Sequence, residues 1–154
     1  MNKADLEAYW GYLRMIFKNA RKQVELIPAD KLDFRPTPEV RSVGELCVHM
    51  HQYVVLAPQM VMEGKQDQSK DVEPKFTGKA ELLKWMDAQV ETGFATFHKL
   101  NDAQIAAVIN AWGMDFPGWQ LLSFVGDEII HHRGQLTVYL RLMGIAPAFI
   151  YDFE

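Results

Sequence analysis

The sequence predicts an all-α protein: a four-helix bundle formed by a single domain over residues 1–154. Three observations predict it. Four long stretches place apolar residues at steps of three and four, the repeat of an amphipathic helix face. Segments rich in proline, glycine and charge separate them. Strand-like alternation is essentially absent, and a hydrophobic content of 49% in 154 residues suffices for one sizeable core.

The first helix carries Leu6, Tyr9, Trp10, Leu13, Ile16, Phe17, Ala20 and Val24 on one face. It should stop near Ile27, because Pro28 disfavours helical geometry in the residue before it. Residues 28–42 hold three prolines and read as a long loop. The second helix begins at Ser42, which can cap the exposed amides while Glu45, three residues on, completes a capping box. Its inward face is Leu46, His49, Met50, Tyr53, Leu56 and Met60. Residues 63–77 are polar and without period, hence a connection or flexible crossover.

A third helix from about Gly78 to Leu100 buries Leu82, Leu83, Met86, Val90, Phe94 and Phe97. Residues 101–119 read as a short turn of helix at most, then an aromatic loop. The last long helix starts near Pro117, a residue suited to the first helical turn. Its stripe is Leu121, Val125, Glu128, His132, Gln135, Leu136, Tyr139 and Met143, and it ends at Gly144 with Pro147 just beyond.

Charge and composition exclude several classes of function. The net charge of −4 and the pI of 5.7 offer no basic footprint for nucleic acid or an anionic membrane surface. No apolar run approaches the ~20 residues that cross a bilayer. The polar, acid-bearing start is neither a secretory signal nor a transit peptide. The single cysteine, Cys47, excludes an internal disulfide framework and fits a reducing cytoplasm. A cytoplasmic protein acting on a small-molecule substrate is the expectation.

Polar side chains interrupt two of the apolar stripes. His49 sits between Leu46 and Tyr53, and Glu128 and His132 stand four apart on one face of the last helix, flanked by Val125 and Leu136. A carboxylate and imidazoles turned into a core need their charge and hydrogen bonds satisfied, and a divalent metal satisfies both. The competing readings are a hydrogen-bonded core histidine for His49 and a partly buried ion pair for Glu128 and His132.

Rotation about the helix sorts the neighbours. His51 is about 200° from His49 and should face solvent or another surface. His131 and Asp127 each lie about 100° from a stripe residue: the first is a reserve ligand, the second a solvated or arginine-paired acid. His98 complements the dipole at the end of the third helix, and Cys47 reads as a small buried thiol.

Two stretches, "RPTPEVRSVGELCVHM" and, far downstream, "HHRGQLTVYLRLMGIAP", together resemble the DinB/YfiT-like superfamily over nearly the whole chain. The resemblance implies a bundle of up-down-down-up course, frequently a homodimer, and the aromatic-rich first helix agrees with a dimer. It also implies a nickel or zinc ion on three histidines, one from the second helix and an H-x-x-x-H pair from the last. The first matches His49 and the final one His132; the remaining position here is Glu128. Glutamate is itself a ligand for zinc, nickel or iron.

Activity follows from the resemblance alone: a metal-dependent transferase that binds and activates a low-molecular-weight thiol at His49, Glu128 and His132. Arg133 and Gln135 are expected to orient bound groups, Tyr53, Trp112 and Trp119 to line a pocket beside the ion, and Gly134 to permit close helix packing. Two alternatives stand beside it: a hydrolase or isomerase using metal-bound water, and a metal-free, stress-related binding protein that has kept only the fold.

Overall fold

Side-chain caps start two of the four long helices in the structure, a computed structural model that describes residues 1–71 and 73–152. In chain order the elements are α1 (Lys3–Glu25), α2 (Val43–Glu63), α3 (Lys79–Lys99), the one-turn α4 (Asp102–Ala106), strands β1 (Val108–Ala111) and β2 (Met114–Pro117), and α5 (Gly118–Leu142). Ser42 caps α2 as expected: its Oγ accepts from the Glu45 N–H at 3.2 Å, and Glu45 Oε2 accepts from the Ser42 N–H at 2.9 Å. Asn2 and Asp5 form the same reciprocal box at the start of α1. Gly64 stops α2 in the left-handed region, at φ 68°, where a side chain would be strained.

The four long helices form the expected bundle: α1 packs on α3 and α5, and α2 packs on the same two. Trp10 anchors the core, stacked on Phe97 at 4.2 Å and edge-on to Phe94 at 5.0 Å. The contact of α2 with α3 has a specific cause. Pro58 lies inside α2 and has no N–H to return to the carbonyl of Val54. Gly93 of α3 packs directly on that carbonyl, so close that a Cβ there would lie 2.2 Å from the Val54 oxygen.

Three sequence expectations need correction. Residues 108–117 are a β-hairpin and not a loop, with Val108 opposite Pro117 and Ala111 opposite Met114. Its two-residue turn, Trp112 and Gly113, has positive φ at both positions, 52° and 76°, the geometry that matches strand twist. Four-residue strands are too short to announce a period. Pro117 is the cap of α5 and not a residue of its first turn.

Gly134 faces open space, with nothing within 4 Å of where a Cβ would stand, so it permits no close packing. Gly93 and Gly126 do that instead, the latter beneath the Tyr9 hydroxyl. His51 takes the second of the two places expected for it, another surface: it is 1% exposed, packed against Phe17 of α1, with its Nδ1–H donating to the Cys47 carbonyl at 2.9 Å. Among the described residues, no helix is long and apolar enough to cross a membrane.

Candidate metal centre

Helices α2 and α5 lie side by side, which brings His49 of one against Glu128 and His132 of the other. Glu128 Oε2 stands 3.5 Å from His49 Nε2 and 3.1 Å from His132 Nε2. The two imidazoles meet edge to face, centroids 4.8 Å apart. One ligand atom from each of the three residues falls within 4.8 Å of the others. All three are partly or largely buried, as a site cut into a bundle core requires.

The rings are held from behind. His49 Nδ1 lies 2.8 Å from Glu73 Oε1, and His132 Nδ1 lies 2.7 Å from Gln135 Oε1. An Nδ1–H donated outward fixes the tautomer that turns the Nε2 lone pair inward. Arg41 Nη2 sits 3.6 Å from the same Glu73 oxygen, and the Arg41 carbonyl accepts from the Tyr139 hydroxyl at 3.0 Å, which ties this loop to α5.

Each imidazole is thus placed between two acceptors, with both Nε2 atoms converging on one carboxylate. That donor set fits a cation at the shared point. Ligands around a common ion with bonds of ~2.1 Å stand roughly 3 to 3.5 Å apart, the spacing found on both sides of Glu128. The electrostatics of the three residues themselves are those of a mutually stabilised acid–base pair. The hydrogen bond from His132 holds the Glu128 carboxyl below the usual carboxylate range, against the upward pull of burial. Burial pulls the His132 imidazole down, but its bonds to Glu128 and Gln135 outweigh this and its pKa lies above the ordinary value.

A cleft of about 440 Å³ opens beside His49 and Glu128. Tyr53 lines it, its buried hydroxyl without a hydrogen-bond partner and pushed up in pKa by burial and then by the charge of Glu128. Trp112 lines it from the hairpin turn, 6.0 Å from the Tyr53 ring.

Of the residues expected at the site, the structure brings together His49, Glu128, His132, Gln135, Tyr53 and Trp112. It does not bring Arg133 or Trp119. Arg133 is one position round from His132 and is buried on the opposite side, donating to Asn19 Oδ1 at 3.3 Å and the Ile150 carbonyl at 3.0 Å. There it joins Asn19 and Gln23 in fastening the C-terminal segment through the carbonyls of Ala148, Phe149 and Ile150. Trp119 packs on the core. His131 is exposed beside Gln135 and stays outside the cluster, whereas Asp127, also exposed, lines the cleft. Sequence reasoning missed Glu73, which lies in the aperiodic connection and bears no local signal of its role. Cys47 is buried as expected, its thiol pushed up to about 12 by burial.

Comparison with known structures finds the same fold. A DinB-like protein from Bacillus subtilis superposes with a TM-score of 0.72 at 27% identity, covering 88% of this chain and 90% of that one. A DinB-like protein from Bacillus cereus gives a TM-score of 0.77 at 17% identity, covering 95% of each chain, a likeness of fold alone. Comparison with curated proteins gives no match. The DinB family model matches residues 2–154, and with the bundle and its cluster in place the chain belongs to the DinB family.

Proposed function

We propose that the protein is a divalent-metal-dependent enzyme that activates a low-molecular-weight thiol and transfers it to an electrophile. The observation that carries this reading is the convergence of His49, Glu128 and His132 at the edge of a cleft, with an outer oxygen behind each imidazole. A zinc- or nickel-type ion on two histidines and one carboxylate leaves positions open and makes a bound thiol or water anionic near neutral pH. His49, Glu128 and His132 would hold it, and Glu128 would stand where related proteins use a third histidine.

The remaining roles belong to this chain's own side chains. Glu73 and Gln135 orient the two imidazoles. Tyr53 keeps its proton and offers a hydroxyl donor to a group in the cleft. Cys47 cannot supply the reacting sulfur, because it is wholly buried and resists ionisation, so the thiol comes from outside.

Metal analysis of the untagged protein beside His49→Ala, Glu128→Ala and His132→Ala tests the centre. About one ion per chain is expected in the parent and none in the variants. Metal content unchanged in all three would remove the centre. Metal-dependent consumption of a thiol with a model electrophile then tests the reaction; a metal-loaded protein inert toward every thiol would leave bound water as the nucleophile.

A further inference from the structure

The residues of the candidate centre divide between two cavities. His49 and Glu128 line the cleft described above, whereas His132 and its partner Gln135 line a second cavity of about 410 Å³. Arg41 lines both, and among the described residues it is the one lysine or arginine that lines either. The second cavity is otherwise mainly apolar, walled by Val40, Leu46, Val138 and Tyr139, with Glu39 as its one acid.

The guanidinium of Arg41 is held in place without being used up. The backbone is fixed: the Arg41 carbonyl accepts from the Tyr139 hydroxyl at 3.0 Å, and the next residue, Ser42, caps α2. The side chain is 44% exposed, and its one ion pair among the described residues, with Glu73, is 3.6 Å long, beyond hydrogen-bond reach. That same Glu73 oxygen already pairs with His49 Nδ1 at 2.8 Å. The charge of Arg41 reaches His132, where it adds to burial in opposing the imidazolium. A planar fork of free N–H donors matches a carboxylate in both charge and shape. Asp67, Asp71 and Asp127 line the first cleft and not the second, so an anion meets Arg41 with least opposition from the second cavity.

We propose that the second cavity takes a small co-substrate with a carboxylate on an apolar chain, and that Arg41 is the residue that selects it. The carboxylate receives the guanidinium N–H groups, and the chain lies against Leu46 and Val138, beside His132. The inference rests on the proposed centre and names the class of molecule brought to it. The carboxylate belongs either to the thiol or to its electrophile, and the probes below distinguish the two.

Two isosteric pairs serve as probes: 3-mercaptopropionate against cysteamine, and, without sulfur, butanoate against propylammonium. Affinities are read by ligand-detected NMR on the full-length protein as purified and after metal stripping, with metal content measured on the same samples. The carboxylate of at least one pair should bind about tenfold more tightly than its cationic counterpart. Arg41→Gln should reduce that preference at least about fivefold and Arg41→Lys should keep part of it, whereas a merely structural loss would weaken both members of a pair alike. A metal-dependent advantage of 3-mercaptopropionate over butanoate assigns the carboxylate to the thiol; its absence assigns it to the electrophile. Equal affinities within both pairs, a preference for the cations, no binding of either carboxylate, or a preference unaltered in Arg41→Gln would each overturn the inference. An Arg41-dependent preference in a protein that never holds metal defeats the proposed centre alone. Thiols that bind only the metal-loaded protein, without the preference, defeat this inference alone.

Discussion

His49 Nδ1 and Glu73 Oε1 lie 2.8 Å apart, a hydrogen bond that joins α2 to a residue 24 positions further on in the chain. It directs His49 Nε2 toward Glu128, 3.5 Å away, and it is the link between an irregular connection and the buried centre. Partners of this kind set ring orientation and ligand basicity. Glu73→Ala should therefore weaken metal binding by roughly 10- to 100-fold without removing a ligand. Competition against a chromophoric chelator measures it; unchanged affinity would show that Glu73 does not orient the ring.

His51 makes a different prediction, for stability against pH. Burial lowers its pKa from 6.5 to about 4, so the unfolded chain takes up a proton in that interval while the folded one does not. Stability attributable to this residue is intact above pH 6.5 and is lost as pH falls toward about 4, by on the order of 3 kcal/mol in full. Urea denaturation from pH 7 to 4 should show the parent losing stability more steeply than His51→Leu. The metal-site histidines are common to both proteins and cancel in the comparison, so parallel curves would exclude the effect.

The glycines separate by their surroundings. Gly93→Ala drives a methyl into the Val54 carbonyl left free by Pro58, and should destabilise by about 2–3 kcal/mol as α2 and α3 are forced apart. Gly134→Ala meets open space on a helix and should stabilise by up to about 1 kcal/mol. Thermal or chemical denaturation of the two variants should therefore move in opposite directions.

Trp112 occupies a left-handed position, φ 52°, that a bulky side chain adopts at a cost. Asparagine suits the first position of this turn, so Trp112→Asn should hold or raise stability, by about 0.5–1 kcal/mol. The same change removes an aromatic wall of the cleft. A clear loss of stability would mean that Trp112 is kept for packing and not for its place over the cleft.

Much of the centre is legible in the chain itself. Glu128 and His132 project together because four residues make about one helical turn, and His49 stands out as a candidate because it breaks an apolar stripe. The same reasoning leaves His51 between solvent and another surface. A helical wheel assumes one buried face, but α2 is packed by both α3 and α5, and its buried residues run most of the way round. Rotating away from His49 therefore leads from the cleft into the core and not into water.

The chain's local pattern suffices for the four helices, the capping box at Ser42, the end of α2 near residue 63 and the four-residue spacing of Glu128 and His132 on α5, because each depends on residues within a turn or two of one another. Packing between helices sets which polar groups stand behind the two imidazoles, which glycine admits a neighbouring helix, and that Arg133 fastens the C-terminal segment. Those outcomes depend on how the helices are rotated and spaced against one another. Burial and hydrogen-bond satisfaction set that arrangement for the whole bundle at once, and no local window of the chain contains it.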